Sequence, residues 1–438
     1  MRSVPETAGT YRLPNYIWFS ASTALMLAGP FCVVIILSRM GSPVELGLYA
    51  YAYAVTAPVQ AFAGLHVRAF IAMDRLFGYR VEDVLAQRVY LGLLLFVTAL
   101  VAAALHGGDA HELGVFLGIV VVRVAEGCTD VSTGQLQRAH RPRLIALLYA
   151  ARGVGGLGIF AALIAAHAPL GLALSGMGVF SLLTFLVVDR ALLASIGAAP
   201  SLPGVVDSVA SARPLRLARH LFPGALLAAL SVVETNLPRY VVDALRGIEA
   251  VGVYTTLGML LSVATNVVHP VFFMTFARLG QAAQHHDPES SRFLTRTIWT
   301  NAGLTIVSGV LLITICLGFG SSIVVGVFGS AWGKYHELFS VLAVAASAGL
   351  LRSCLGFALT GLNIFAPQIA ITLCSAVIFV VLAVGLGGST DLIAVAQAWA
   401  AASLFAVVVN AVILGAALRR RRSTVDVASM AAGAHLGG

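Results

Sequence analysis

The chain is 438 residues long, 59% hydrophobic and only 11% charged, with a net charge of +8 and a mean hydropathy of +0.93. Soluble domains carry about 25% charged residues, so this deficit excludes a soluble globular protein. Apolar runs long enough to cross a bilayer recur along the whole chain, which points to a polytopic helical membrane protein. A transmembrane barrel would alternate over segments of roughly ten residues, whereas these runs are continuous.

The polar N-terminus, MRSVPETAGTYRLPNY, leads into a first apolar run at 16–38 with no small-residue cleavage site after it. That reads as a retained helix and not as a removed signal peptide. Eleven further spans are expected at 46–72, 88–105, 112–136, 144–166, 169–188, 219–244, 250–275, 296–318, 336–360, 367–386 and 390–417. Cys32, Cys128, Cys316, Cys354 and Cys374 all fall inside apolar runs. None has metal-ligand spacing, and their placement argues against a disulfide framework.

Arginine outnumbers lysine 26 to 1. One set of loops carries Arg75, Arg80 and Arg88, then Arg138, Arg141 and Arg143, then Arg190, Arg213, Arg216 and Arg219, then Arg278, Arg292 and Arg296. Arg2, Arg12 and the tail Arg419–Arg422 belong with them, while the alternate loops hold only Arg39, Arg246 and Lys334. Positive charge concentrates on the cytoplasmic side, so both termini are expected inside. The basic tail is expected to anchor beside anionic lipid.

Two halves resemble each other. AHEL at 110–113 and Pro142 match YHEL at 335–338 and Pro367 at a common offset of 225. GLYA at 47–50 matches GVYT at 252–255, and His66, Arg75 and Leu76 match His269, Arg278 and Leu279. The expectation is an all-α integral membrane protein with twelve transmembrane helices in two pseudo-symmetric six-helix halves. The lobes are 1–188 and 219–417, joined by a cytoplasmic linker at 189–218 and followed by a basic tail at 418–438. Even span counts make the halves parallel repeats.

A charge at the bilayer centre costs about 2.5–3.5 kcal/mol on insertion scales, so charged residues within spans should face the bundle interior or water. Five arginines qualify as substrate contacts: Arg68, Arg123, Arg152, Arg239 and Arg352. The acids are Glu126, Asp130 and Glu234. Arg123, Glu126, Asp130, Thr133 and Gln137 are spaced three or four apart and share one helix face, which is expected to line water. Arg123 and Glu126 also have the spacing of a buried pair that neutralises itself. Arg152 and Arg352 have no acid nearby on their own helices, and an anion-favouring cavity accounts for all of them. Pro30 and Pro238, each in the first span of a half, can act as hinges or as static bends.

The stretch LSRMGSPVELGLYAYAYAVTAPVQAFAGLHVR, residues 37–68, resembles the first helical hairpin of Wzx-type bacterial polysaccharide flippases. These belong to the multidrug/oligosaccharidyl-lipid/polysaccharide (MOP) exporter superfamily, which also holds the multidrug and toxin extrusion (MATE) transporters. The pattern is Arg39, Gly41, Glu45, Gly47 and Tyr49, with a second resemblance in the turn LQRAHRPRLIALLYAARG at 136–153. The resemblance implies a MOP/MATE-like fold in the bacterial inner membrane. It implies translocation of an undecaprenyl-pyrophosphate-linked, anionic oligosaccharide to the periplasmic leaflet, with glycosyltransferases and a polysaccharide polymerase as partners. Membrane lipid is the surrounding partner, and nothing points to nucleic acid or to a resident cofactor. With no phosphate loop in the sequence, energy is expected from coupled H⁺ or Na⁺ at Glu126, Asp130 or Glu234, or from the substrate gradient. The main alternative is a MATE-type ion-coupled small-molecule exporter. MDRLFGYR at 73–80 matches a major facilitator loop poorly, and the short outside loops argue against a membrane enzyme.

Overall fold

The computed structural model describes residues 13–436 apart from 66, 73–78, 107–108, 140, 212, 267, 269–278, 280–281, 284–286, 363 and 387–390. His66, Arg75, Leu76, His269 and Arg278 of the repeat therefore lie outside the described residues, as does most of the 73–80 loop.

Among the described residues the chain is helical and holds no strand. The elements are α1 (Leu13–Met40), α2 (Pro43–Gly64), α3 (Val67–Ala72), α4 (Val81–His106), α5 (Ala110–Arg138), α6 (Pro142–Ala165) and α7 (Leu170–Thr184). A π-helical turn, Phe185–Asp189, joins α7 to α8 (Arg190–Ala194), and α9 (Leu202–Val209) follows. Then come α10 (Arg213–Arg246), α11 (Ile248–Asn266), α12 (Pro288–Phe328), a 3₁₀ turn at Ser330–Tyr335, α13 (His336–Gly361), α14 (Ala366–Leu386) and α15 (Leu392–Leu436). Among the described residues, twelve long passes are recognisable when α2–α3 and α7–α8 each count as one. Among the described residues, eight helices are long and apolar enough by length and composition to cross a membrane. The passes that do not reach that measure are α1, α2, α5 and α10, and α2–α3, α5 and α10 hold six of the eight charged residues singled out within spans.

Local chemistry explains the boundaries. Ser42 and Glu45 form a reciprocal capping box at the start of α2, Glu45 Oε2 accepting from Ser42 N at 2.9 Å. Two orphan donors are thereby satisfied, so the acid of the 39–49 motif is a helix-starting device. Asp109 caps α5, accepting from Glu112 N at 2.7 Å, and Pro142 opens α6.

Several boundaries differ from expectation. Span two is not one run: α2 ends at Leu65, which takes a left-handed φ of 55°. Its last carbonyls are met from α4, Ala63 by Gln87 Nε2 and Gly64 by both terminal nitrogens of Arg88 at 3.3 Å. Arg88 is thus no loop residue; α4 begins at Val81 and buries it. At the far end, α15 runs to Leu436, past the expected limit of 417.

The chain divides into two compact units, Met1–Val233 and Glu234–Gly438. In the first, α5 is the central helix, packed against α7, α4, α3 and α2. Helices α5 and α7 approach closely through glycine: a Cβ on Gly171 would stand 2.5 Å from the Gly114 carbonyl oxygen, and one on Gly178 would stand 2.8 Å from Val122 N. Small residues permit such backbone contact within a bilayer, where apolar burial between helices supplies little drive. In the second unit α13 packs against α15 and α12, and α14 against α15. Ser347 Oγ of α13 donates to Gly309 O of α12 at 3.1 Å, and Phe379 and Trp399 meet edge to face.

Leu93, Val97, Val101 and Leu105 of α4 are all exposed and recur every four residues. An exposed apolar stripe of this kind suits contact with acyl chains, as do Val307, Leu311 and Leu317 of α12.

Candidate functional site

The polar face of α5 organises the first unit. Arg123 is only 5% exposed. Its guanidinium donates to Glu126 Oε2 at 3.0 Å, to the Tyr53 carbonyl at 3.0 Å and to Thr56 Oγ1 at 3.4 Å. It also stacks 3.6 Å from the centre of the Tyr53 ring. The arginine therefore locks α5 to α2, and the expectation that the stripe lines water needs correction here. Arg123 and Thr133 are buried, because α2 and α3 pack on this side of α5. The Glu126 side chain is 36% exposed, and it also accepts from Gln60 Nε2 at 3.3 Å.

Further along the stripe, Arg68 of α3 donates to Gln137 Oε1 at 3.4 Å and to Tyr149 Oη of α6 at 3.2 Å. Asp130 lies between these groups in the field of Arg88, Arg68 and Arg152, with Glu126 as its acidic neighbour. Its carboxylate accepts no hydrogen bond among the described residues.

Arg152 has an acid partner after all, from another helix. Its Nη2 meets Asp189 Oδ2 at 2.7 Å, with both side chains buried. Asp189 closes the π turn that ends α7. Arg352 likewise is not unpaired: it grips both carboxylate oxygens of Glu234 and donates to Thr372 Oγ1 at 3.1 Å. One bidentate pair thus joins a residue expected to bind substrate with one expected to couple ions. Arg239 of α10 is half-buried and donates to Asn236 Oδ1 at 2.7 Å.

Pro30 and Pro238 lie inside continuous helices, α1 and α10. A proline withholds the donor that the carbonyl four residues earlier would use. For Pro238 that carbonyl belongs to Glu234, so the backbone is loosened one turn from the ion pair. Pro58 does the same within α2 and was not singled out from sequence. Among the described residues no group of three or more His, Cys, Asp or Glu side chains could hold a metal ion.

Asp189, Arg88, Gln60 and Thr372 are among the polar residues of these clusters that sequence reasoning missed. Asp189 and Arg88 sit at span ends, where charge is ordinary. Gln60 and Thr372 are uncharged and blend into their helices.

No protein-family model matches the chain. It is 22% identical over 333 residues to the capsular polysaccharide biosynthesis protein CapF of Staphylococcus aureus, covering 75% of this chain and 80% of that protein. In three dimensions it is similar to an outward-facing MATE family multidrug resistance transporter of the MOP superfamily, with a TM-score of 0.66 and 13% identity over 93% of this chain and 95% of that one. A MOP superfamily transporter from Pyrococcus furiosus, described as having a binding pocket of reverse polarity that suggests a different function, gives a TM-score of 0.64 and 14% identity over 93% and 96%. At these identities the likeness is one of fold, and the fold is the MOP arrangement of twelve helices in two halves.

Proposed function

We propose that this chain, whose fold is that of the MOP superfamily transporters, is a flippase for an undecaprenyl-pyrophosphate-linked oligosaccharide. It moves the glycan from the cytoplasmic to the periplasmic leaflet of the bacterial inner membrane by alternating access, with both termini cytoplasmic. The observation that carries this reading is the pairing of a transporter fold with a polysaccharide-biosynthesis relative that matches four-fifths of its own length. Glycosyltransferases and a polymerase are the partners such a role requires.

The ion pairs suggest how substrate and ion are coupled. Arg123 is engaged by Glu126, and Arg352 by Glu234. A proton or sodium ion that neutralises either carboxylate releases a guanidinium, whose fork matches phosphate oxygens. Arg68, half-buried near the cytoplasmic end of its span, meets the pyrophosphate before Arg123 does, whereas Arg239 lies near the periplasmic end of its own. Arg152 stays held by the buried Asp189 within the first unit. Pro30 and Pro238 supply the bends at which α1 and α10 flex.

A second reading, export of organic cations with H⁺ or Na⁺ exchange, draws on the part-exposed Glu126 carboxylate and the unbonded Asp130. Complementation separates the two. In a flippase-null strain the chain should restore surface polysaccharide, and Arg68→Ala and Arg123→Ala variants inserted at normal levels should restore less. Unchanged polysaccharide in both variants, or no complementation alongside drug resistance, rejects the flippase reading.

A further inference from the structure

One face of α2 grips the Arg123–Glu126 pair through Tyr53, Thr56 and Gln60. Tyr51 and Val55 lie on the opposite side of the same helix. With Val97, Thr98, Val101, Ala102 and Leu105 of α4 they line a groove of about 380 Å³. All seven residues belong to the first unit. The volume falls within the range of small-ligand pockets, roughly 300–1,000 Å³.

None of the lining residues is charged. Thr98 Oγ1 donates back to Leu94 O at 2.8 Å, so that hydroxyl is satisfied within α4. The Tyr51 ring stands edge to face with the buried Phe116 of α5, centroids 6.4 Å apart, which backs the groove with a fixed wall. Apolar cavities exclude water and take apolar ligands. Val97, Val101 and Leu105 also belong to the exposed stripe of α4, so the groove is continuous with the surface that meets acyl chains. From Val97 to Leu105 the helix rises about 12 Å at 1.5 Å per residue. The hydrocarbon of one leaflet is about 15 Å deep, half of the core, and α4 ends at His106. The groove thus runs from the membrane surface toward the midplane through a single leaflet. A chain lying between two walls gains more dispersion contact than one lying against a single exposed helix.

We propose that the α2–α4 groove holds one acyl chain of a bilayer phospholipid, in the leaflet where α4 ends. The orientation proposed above makes that the periplasmic leaflet. The substrate's prenyl tail is not the occupant: a pyrophosphate at Arg123 would lie across α2, a helix about 10–12 Å wide, and an undecaprenyl chain far outruns one leaflet. The bound chain braces α2 from the lipid side while its inner face holds Arg123.

The test places the full-length protein in phosphatidylglycerol bilayers doped with a phosphatidylglycerol that carries a diazirine on one acyl chain. After photolysis, adducts are mapped by peptide mass spectrometry. Labelling of Tyr51, Val55 and the 97–105 segment should exceed that of the exposed Val307, Leu311 and Leu317 of α12 several-fold. Ala102→Phe, which fills the groove, should lower it to the α12 level and leave α12 labelling unchanged. Equal labelling of the two helices in the native chain would overturn the site, as would excess labelling that survives Ala102→Phe. If that variant does not insert, Val55→Phe fills the groove from α2 and is read in the same way. Undecaprenyl phosphate added at the mole fraction of the probe should leave the α4 adducts in place. Their selective loss would give the groove to a prenyl chain and overturn the proposal.

Discussion

Asp189 reaches Arg152 at 2.7 Å because the end of α7 winds as a π turn. The wider turn holds one extra residue, rotates the chain and turns Asp189 into the bundle instead of toward the loop. Neither side chain is solvated, so each depends on the other. Arg152→Ala should destabilise the first unit by about 3–5 kcal/mol, the usual cost of orphaning one member of a buried pair. The joint replacement Arg152→Met with Asp189→Leu should recover most of that loss. Thermal unfolding in detergent checks both, and equal instability of the single and double variants would contradict the pairing.

Close packing of α5 on α7 makes a second prediction. A methyl group on Gly171 would collide with the Gly114 backbone, which cannot move aside as a flexible side chain could. Gly171→Ala should cost about 1–3 kcal/mol, as overpacking does. Gly153 of α6 has open space at its Cβ position, so Gly153→Ala should stabilise by about 0.5–1 kcal/mol through reduced chain entropy. Thermal midpoints moving in the same direction for both variants would refute the packing argument.

The start of α12 should fray in acid. Asp287 accepts from Ser290 N at 2.8 Å and from Ser290 Oγ at 2.8 Å. These bonds, the backbone donor first, hold its carboxyl below the ordinary carboxylate range. A depressed folded-state pKa contributes stability that is present above the unfolded value, about 4, and is lost as pH falls through the lowered one. Hydrogen-exchange protection at Ser290 and Ser291 should therefore drop in acid for the native chain. Asp287→Asn keeps a good cap without the titration and should show no such drop. Equal acid sensitivity in the two proteins would count against the cap.

If Glu126 and Asp130 carry the coupling ion, Glu126→Gln and Asp130→Asn should each lower transport and weaken its dependence on a proton or sodium gradient. Initial rates in proteoliposomes with and without an imposed gradient measure this. Unaltered gradient dependence in both variants would remove the coupling role.

The twelve passes were legible because lipid-facing and core-facing residues are both apolar, so spans read as long runs whatever they pack against. Arg88 was misread as a loop residue because the apolar run begins only at Val89, while the polar turn before it, EDVLAQR, is already helix. The ion pairs were illegible for a different reason. Arg152 and Asp189 are 37 residues apart, and Arg352 and Glu234 are 118 apart. Periodicity reports which residues share a face of one helix, and it carries no information about which faces meet. Arg123 and Glu126 were legible as a pair because they sit on one helix, but the burial of their face by α2 was not.

The most direct measurement reconstitutes the purified chain in proteoliposomes with a labelled prenyl-pyrophosphate-linked oligosaccharide and follows the glycan's exposure to an external lectin. The native chain should translocate it, and Arg123→Ala and Arg352→Ala should do so several-fold more slowly. Failure of the native chain to move the glycan, while it exports a cationic dye against an ion gradient, would contradict the flippase account.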